Sequence, residues 1–172
     1  IGGGFGSKFA ADIWGWAAAQ MSKDTGRPVR LMLDRATELK TPGTRPSGFA
    51  NVTVAATKDG KVTAWKSEHW GTDGPQGGTI DGNQMPYVFD PPNKHVISRG
   101  ISTDCGPNRA WRAPNHPQLC AITDTALTDL AAKLKMDPID LYKANLDSLD
   151  RVAKENGALY SAELDRAAEL MD

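Results

Sequence analysis

Two stretches of the chain carry residue types at a spacing that could do chemistry. The first is Gly2-Gly3-Gly4-Phe5-Gly6-Ser7-Lys8. Three successive glycines and Gly6 let backbone N–H groups approach a bulky anionic or polar ligand, with Phe5 lying over it. The spacing argues against two nucleotide-binding uses. A phosphate-cradling P-loop needs glycine, lysine and a hydroxyl residue adjacent in that order, and here the order is Gly6-Ser7-Lys8. A dinucleotide fingerprint needs G-x-G-x-x-G, but counted from Gly4 the third position is Phe9, and no acidic residue follows on a second strand at the expected distance. A flexible entry to a core helix is the bland alternative. The second stretch runs Cys105-Gly106-Pro107-Asn108-Arg109-Ala110-Trp111-Arg112-Ala113-Pro114-Asn115-His116-Pro117-Gln118. Two arginines and an aromatic sit between prolines. A fork-shaped guanidinium on a stiff loop suits phosphate or an oxo group. The alternative is a pair of solvated loop arginines.

The remaining reactive residues do not cluster. His69, His95 and His116 are scattered, none with a partner at ligand spacing, and each reads as structural or solvated. Cys105 and Cys120 are too few for a disulfide scaffold and lack zinc-site spacing; free, buried thiols are expected. They leave the compartment open. Arg35 and Glu38 are expected to form a surface pair.

These residues must be positioned by ordinary globular elements. The chain has 172 residues, 24% charged and 40% hydrophobic, and its formal net charge of −1 supplies no basic field for nucleic acid and no polybasic patch for lipid. No apolar run approaches the ~20 residues of a membrane span. One domain or two small ones can bury roughly 70% of the unfolded surface, so neither metal nor disulfide is needed to hold the fold. Phe9, Ile13, Trp16, Ala17 and Met21 recur at helical steps, predicting an amphipathic helix over about 8–22 that the glycine loop opens and Gly26 stops. Residues 29–33 read as a short buried strand, and Asp34 as the cap of a brief turn through Leu39. Alternation over 50–57 and 62–70, joined at Lys58-Asp59-Gly60-Lys61, predicts a hairpin with a two-residue connection. Residues 95–103 predict another strand. Leu119, Ile122, Ala126, Leu127, Leu130 and Leu134 predict a long helix just after Pro117, followed by a shorter one to about Asn145 and a final, weakly packed one over 162–171. Charge in 147–169 alternates in sign like a wetted helical face. Glycine and proline collect in 71–78, 81–92 and 105–117, loops long enough to read as binding surfaces. The fold class is α+β, a mixed sheet with packed helices. With Ile1 in place of an initiator Met and a glycine loop at the start, the chain is expected to be a piece of something larger.

Four segments together resemble a known family in order and spacing. They are Gly2 to Lys8; Thr25-Gly26-Arg27-Pro28-Val29-Arg30-Leu31-Met32-Leu33-Asp34-Arg35; Ala110-Trp111-Arg112-Ala113-Pro114 with Pro117-Gln118; and Leu130-Ala131-Ala132-Lys133-Leu134 to Asp137-Pro138 and Asn145-Leu146. The family is the molybdenum hydroxylases, xanthine dehydrogenase and aldehyde oxidase, in their molybdopterin-binding large subunit. The resemblance covers about 1–147, which it implies is a segment of the cofactor-binding domain; 148–172 would be a helical tail or the start of the next segment. Arg112-Ala113-Pro114 is most similar to the bacterial aldehyde-oxidoreductase branch.

The resemblance implies a molybdopterin cofactor, in simple or dinucleotide form, whose dithiolene holds the metal so that no protein side chain need do so. It implies that Gly3, Gly4, Phe5 and Gly6 lie against that cofactor together with Ala110, Trp111, Arg112 and Ala113, and that Phe9 and Pro114 face substrate. The implied activity is hydroxylation of aldehydes or aromatic N-heterocycles with water as oxygen source, the metal activating the oxygen and accepting two electrons. The family's glutamate base lies beyond this chain, so no catalytic residue is assigned and the fragment is expected to be inactive alone. Implied partners are the remainder of the large subunit, an iron–sulfur subunit or domain, an FAD subunit or domain, and a small-molecule substrate. Two departures narrow that substrate. Phe9 stands where the xanthine-type enzymes carry a purine-binding glutamate, and Pro114 where they carry a stacking phenylalanine; no arginine lies between Thr79 and Pro92, where those enzymes have a substrate-binding one. A purine would lose its polar partner, so an aldehyde or apolar heterocycle fits better. A non-catalytic scaffold or assembly module of a split or degenerate subunit is the alternative function.

Overall fold

Alternating side chains build the hairpin at the centre of the fold. In the computed structural model, which describes residues 3–8, 10–74, 80, 82–149 and 154–171, β1 (Gly48–Ala56) runs antiparallel to β2 (Val62–Asp73). Asn51 and Thr53 face solvent, while Val52 and Val54 stand opposite Ser67 and Trp65 on the covered face. The connection is longer than the two residues expected. Thr57 N–H donates to the Lys61 carbonyl (2.9 Å), Gly60 takes a left-handed φ of 86°, and the register shifts between Ala55 and Ala56. A left-handed glycine beside a one-residue bulge is the geometry of a three-residue hairpin loop. A Cβ on Gly60 would also lie 2.7 Å from Met136 Sδ, so the turn tolerates no side chain there.

β3 (Asn93–Ser102) pairs with β2 in parallel, giving the order β1-β2-β3 and the mixed sheet expected. The helices are α1 (Asp12–Thr25), α2 (Arg35–Lys40), α3 (His116–Leu134), α4 (Pro138–Ala144) and α5 (Gly157–Met171). α3 buries Leu119, Thr123, Leu127 and Ala131, four residues apart along one stripe that lies on the sheet. Two apolar clusters result. Trp65, Ile80, Met85 and Leu119 fill one, and Val62, Phe89, Leu127, Ala131, Leu141 and Leu149 fill the other. α5 begins earlier than expected and buries no residue completely, although Tyr160 packs on the second cluster. Among the described residues no helix is long and apolar enough to cross a membrane.

Two expectations near the start of the chain are corrected. The glycine loop does not open α1 directly, because a turn over 5–8 and residues 10 and 11 intervene, and the helix begins at Asp12 with φ 54°. Residues 29–33 form no strand: Leu31, Met32 and Leu33 line a cleft of about 200 Å³ with Trp14 and Ala18 of α1. A strand needs a neighbour to take its backbone hydrogen bonds, and no described strand lies beside this run. The apolar stripe of α1 is likewise open, with Ile13 and Trp16 each 67% exposed. Asp34 does cap α2, its carboxylate accepting from Thr37 N–H at 2.7 Å.

A single buried amide ties the hairpin to α4. Asn145 is 1% exposed; its Oδ1 accepts from Val62 N–H (2.9 Å) and its Nδ2 donates to the carbonyls of Gly60 (2.9 Å) and Leu141 (2.8 Å). Removing it strands three buried backbone groups, each costing about 1–3 kcal/mol when unpaired. Asn145→Ala should therefore lower stability by about 3 kcal/mol or more in denaturant unfolding. Asn145→Asp should not rescue it, because a carboxylate would face two carbonyls.

Candidate functional site

The two chemistry-bearing loops meet. Arg112 N–H donates to the Phe5 carbonyl at 2.6 Å, joining the arginine loop to the glycine loop through the backbone. The glycine loop folds on itself: Ser7, 4% exposed, donates from both its amide (3.0 Å) and its hydroxyl (2.8 Å) to the Gly4 carbonyl. Gly3, Phe5 and Gly6 all take left-handed φ values of 89°, 51° and 108°. Phe5 is consequently turned outward and 67% exposed. The arginine loop is equally constrained, with Ala113 (φ 55°) and Asn115 (φ 67°) left-handed just before α3. Among the described residues the amides of Gly4, Phe5, Gly6 and Ala113 donate to no protein acceptor.

The two loop arginines have different surroundings. Arg109 makes a two-pronged ion pair with Asp12 (2.5 and 2.8 Å) and reaches the Ser7 carbonyl at 3.5 Å. Its aliphatic stem crosses Gly43, where an added Cβ would lie 2.2 Å from Arg109 Cγ, so the crossing requires glycine. Arg109 is thus a brace between the arginine loop and the first turn of α1. The Arg112 guanidinium, by contrast, makes no hydrogen bond or ion pair among the described residues and is exposed. Sequence spacing alone could not separate them.

A third arginine was not anticipated. Arg45, in the connection between α2 and β1, donates from Nη1 to the Ala113 carbonyl (2.9 Å) and from Nη2 to the Arg112 carbonyl (2.7 Å). It lies in no motif, and nothing in the local sequence marks it. Lys8 pairs with Glu38 at 2.9 Å, and Glu38 also receives Arg35 at 3.9 Å, in keeping with the expected pair. Gly3, Gly4, Phe5, Lys8 and Trp111 line a cavity of about 160 Å³ between the loops. Ala110 and Pro114 are exposed beside them, and Phe9 lies outside the described residues. A larger groove of about 440 Å³ runs between β1 and α3, away from every candidate residue.

The other reactive residues behave structurally. His69 is buried with Nε2 3.3 Å from the Ile80 carbonyl, and His116 meets the Tyr87 hydroxyl at 3.0 Å, edge to face. Cys105 and Cys120 are free, as expected, but exposed rather than buried. Cys105 sits on the loop, and Cys120 follows Leu119 by one helical step, about 100° away from the buried stripe. Among the described residues no group of three or more His, Cys, Asp or Glu side chains is placed to hold a metal ion. The loops therefore offer donors to anionic or oxo groups rather than direct metal ligands. The cavity of about 160 Å³, completed by Arg35, Glu38, Pro42 and Gly43, is smaller than the ~300 Å³ at which small-molecule sites begin.

The Arg109 guanidinium holds the Asp12 carboxyl below the ordinary carboxylate range, chiefly through the hydrogen bond it donates. A carboxyl depressed in the folded state adds stability above its unfolded value of ~3.9 and loses it as pH falls through the folded value. The difference in thermal stability between the parent and Asp12→Asn should accordingly be constant from neutral pH to about 5 and shrink progressively below that.

Comparison with known proteins gives this geometry a context. Residues 1–146 match the family described as the molybdopterin cofactor-binding domain. The chain is 31% identical over 153 residues to the aldehyde oxidoreductase molybdenum-binding subunit PaoC of Escherichia coli (strain K12), covering 87% of this chain and 21% of that protein. It is 30% identical over 159 residues to xanthine dehydrogenase of Oryza sativa subsp. japonica, covering 86% and 11%. The structure of aldehyde oxidoreductase from Desulfovibrio gigas superposes with a TM-score of 0.68 at 27% identity, over 84% of this chain and 16% of that one. The chain thus spans only a tenth to a fifth of the length of these relatives. Matched along 146 of its residues, it belongs to the molybdopterin cofactor-binding domain family.

Proposed function

We propose that residues 1–147 form one wall of the molybdenum-cofactor site of an oxidoreductase that hydroxylates aldehydes or aromatic N-heterocycles with water as oxygen source, and that 148–172 are a helical tail or the start of the next segment. The observation that carries this reading is the backbone bond from Arg112 to Phe5, which joins the two loops while leaving the Arg112 guanidinium open. When bound, the cofactor supplies a Lewis acid and a two-electron acceptor. The chain's own residues bind and orient. The amides of Gly4, Phe5, Gly6 and Ala113, which donate to no protein acceptor among the described residues, are the backbone donors of the two joined loops, and Gly3 gives the left-handed entry to the first. Ala110 and Trp111 continue the second loop, Trp111 lining the cavity. Arg112 is the side chain free to pair with an anionic or oxo group. Pro114 adds apolar surface beside Ala113, and Phe9 is assigned to the substrate side by the family resemblance alone. The base that moves the proton, the rest of the large subunit, and the iron–sulfur and FAD groups that carry electrons away belong to other segments or chains.

Arg112→Ala in the intact assembly should remove a charge-assisted contact worth about 1.5–3 kcal/mol, visible as lower molybdenum content or turnover. The unfolding midpoint should hardly move, because the exposed guanidinium makes no hydrogen bond or ion pair among the described residues. Full molybdenum content and turnover in Arg112→Ala would refute the assignment. A molybdenum-to-protein ratio near zero in the parent assembly would instead favour a non-catalytic scaffold.

Substrate preference follows from the apolar positions. Steady-state turnover of an aromatic aldehyde should exceed that of xanthine or hypoxanthine, and Phe9→Glu should shift the ratio toward the purines. A preference for purines in the parent would exclude the apolar-pocket reading.

A further inference from the structure

The grip of Arg45 on the arginine loop has a geometry that a mere surface contact lacks. Each terminal nitrogen serves a different carbonyl, Ala113 at 2.9 Å and Arg112 at 2.7 Å, so the guanidinium fork spans two successive peptide groups. Its base is pinned on both sides. Thr44 exchanges backbone bonds with the loop, donating to the Pro107 carbonyl (3.3 Å) and accepting from Arg109 N–H (3.2 Å), and the Pro46 carbonyl accepts from Gln118 Nε2 of α3 (2.6 Å). Arg45 therefore projects from a backbone already fixed to both ends of the loop.

The carbonyls it holds decide where the neighbouring donors point. Across a planar trans peptide the C=O and the following N–H point in opposite directions. Holding the Arg112 carbonyl on Arg45 turns the Ala113 N–H to the far side, where no protein acceptor takes it. Ala113 stands at φ 55°, a conformation that L-residues adopt only where the surroundings enforce it, and its carbonyl is held twice, by Arg45 and by His116 N–H at 3.3 Å. The next residue is Pro114, which has no N–H to offer, so the loop has few internal bonds to keep this shape.

We propose that Arg45 is a positioning residue, holding the Arg112 and Ala113 carbonyls so that the Ala113 N–H and the Arg112 guanidinium are presented together to the cofactor. This rests on the proposed role of the Arg112 loop. Arg45 itself touches neither cofactor nor substrate; it acts through the two peptides. A lysine, with one ammonium in place of a fork, would hold one carbonyl at a time.

The test uses the intact assembly with Arg45→Ala, Arg45→Lys and Arg112→Ala, following amide hydrogen exchange over residues 110–115, the rate of molybdenum loss on dialysis, and the unfolding midpoint. For Arg45→Ala, which removes both hydrogen bonds of the fork, the expected result is at least about tenfold faster exchange at the Arg112 amide and at least about tenfold faster molybdenum loss, since a single charge-assisted hydrogen bond is already worth about tenfold. Exchange elsewhere should be unchanged, and Arg45→Lys should recover part of both effects. Unchanged exchange over 110–115, or faster exchange throughout the protein with a lower midpoint, overturns the proposal. If Arg45→Ala does not accumulate, Arg45→Gln, which keeps one neutral donor, is judged by the same criteria. Should Arg45→Ala loosen the loop without losing molybdenum while Arg112→Ala loses it, the positioning role falls and the reading of Arg112 stands. If neither variant loses molybdenum, the reading of the loop falls and the role of Arg45 with it.

Discussion

The 2.6 Å bond from the Arg112 amide to the Phe5 carbonyl is the constraint on which the site depends, because it makes one surface from two loops far apart in sequence. Neither loop can be held by regular pairing. Glycines favour left-handed turns in one, and prolines remove backbone donors from the other. Their shape comes instead from individual hydrogen bonds, some within a loop and some to other parts of the fold. Ser7 closes the glycine loop on Gly4, Arg109 locks the arginine loop to Asp12, and Arg45 takes the carbonyls of Arg112 and Ala113.

The scaffold behind the loops explains why they meet where they do. The arginine loop runs directly into α3, which is seated on the sheet by Leu119, Thr123, Leu127 and Ala131, so its end is fixed by core packing. The start of β1 lies against the same point through the Pro46–Gln118 bond, and Asn145 fastens the far end of the hairpin to α4. Packing fixes where the arginine loop ends; hydrogen bonds set the direction of individual amides. The glycine loop is attached differently. α1 buries no residue, so the start of the chain is joined to the rest mainly by the Arg109–Asp12 and Lys8–Glu38 pairs and the backbone bond to Phe5.

The three arginines show how one side-chain type divides its work. Arg109 meets a carboxylate and becomes a brace, Arg45 meets two carbonyls and holds their peptides, and the Arg112 guanidinium makes no hydrogen bond or ion pair among the described residues. The fork geometry is common to all three; the available acceptor decides the role.

Local pattern was enough for much of this chain. The alternation around residues 50–70, the heptad-like run from Leu119 to Leu134, the Asp34 cap and the proline start of α3 act between residues close in sequence, and each element formed near its expected position. The mixed α+β class followed from their order, and four segments in order and spacing together pointed to the family. What tertiary structure decided was whatever depends on a partner distant in the chain. The run 29–33 has the composition of a strand but no described strand to pair with, and the stripe on α1 has no described surface to cover it. The hairpin loop took three residues, closed by the Thr57–Lys61 and Gly60–Thr57 backbone bonds with Gly60 left-handed. The same distinction separates Arg109 from Arg112, three residues apart on one loop, and conceals Arg45 altogether: a guanidinium's role is set by the acceptor it reaches, and only the folded chain brings that acceptor near.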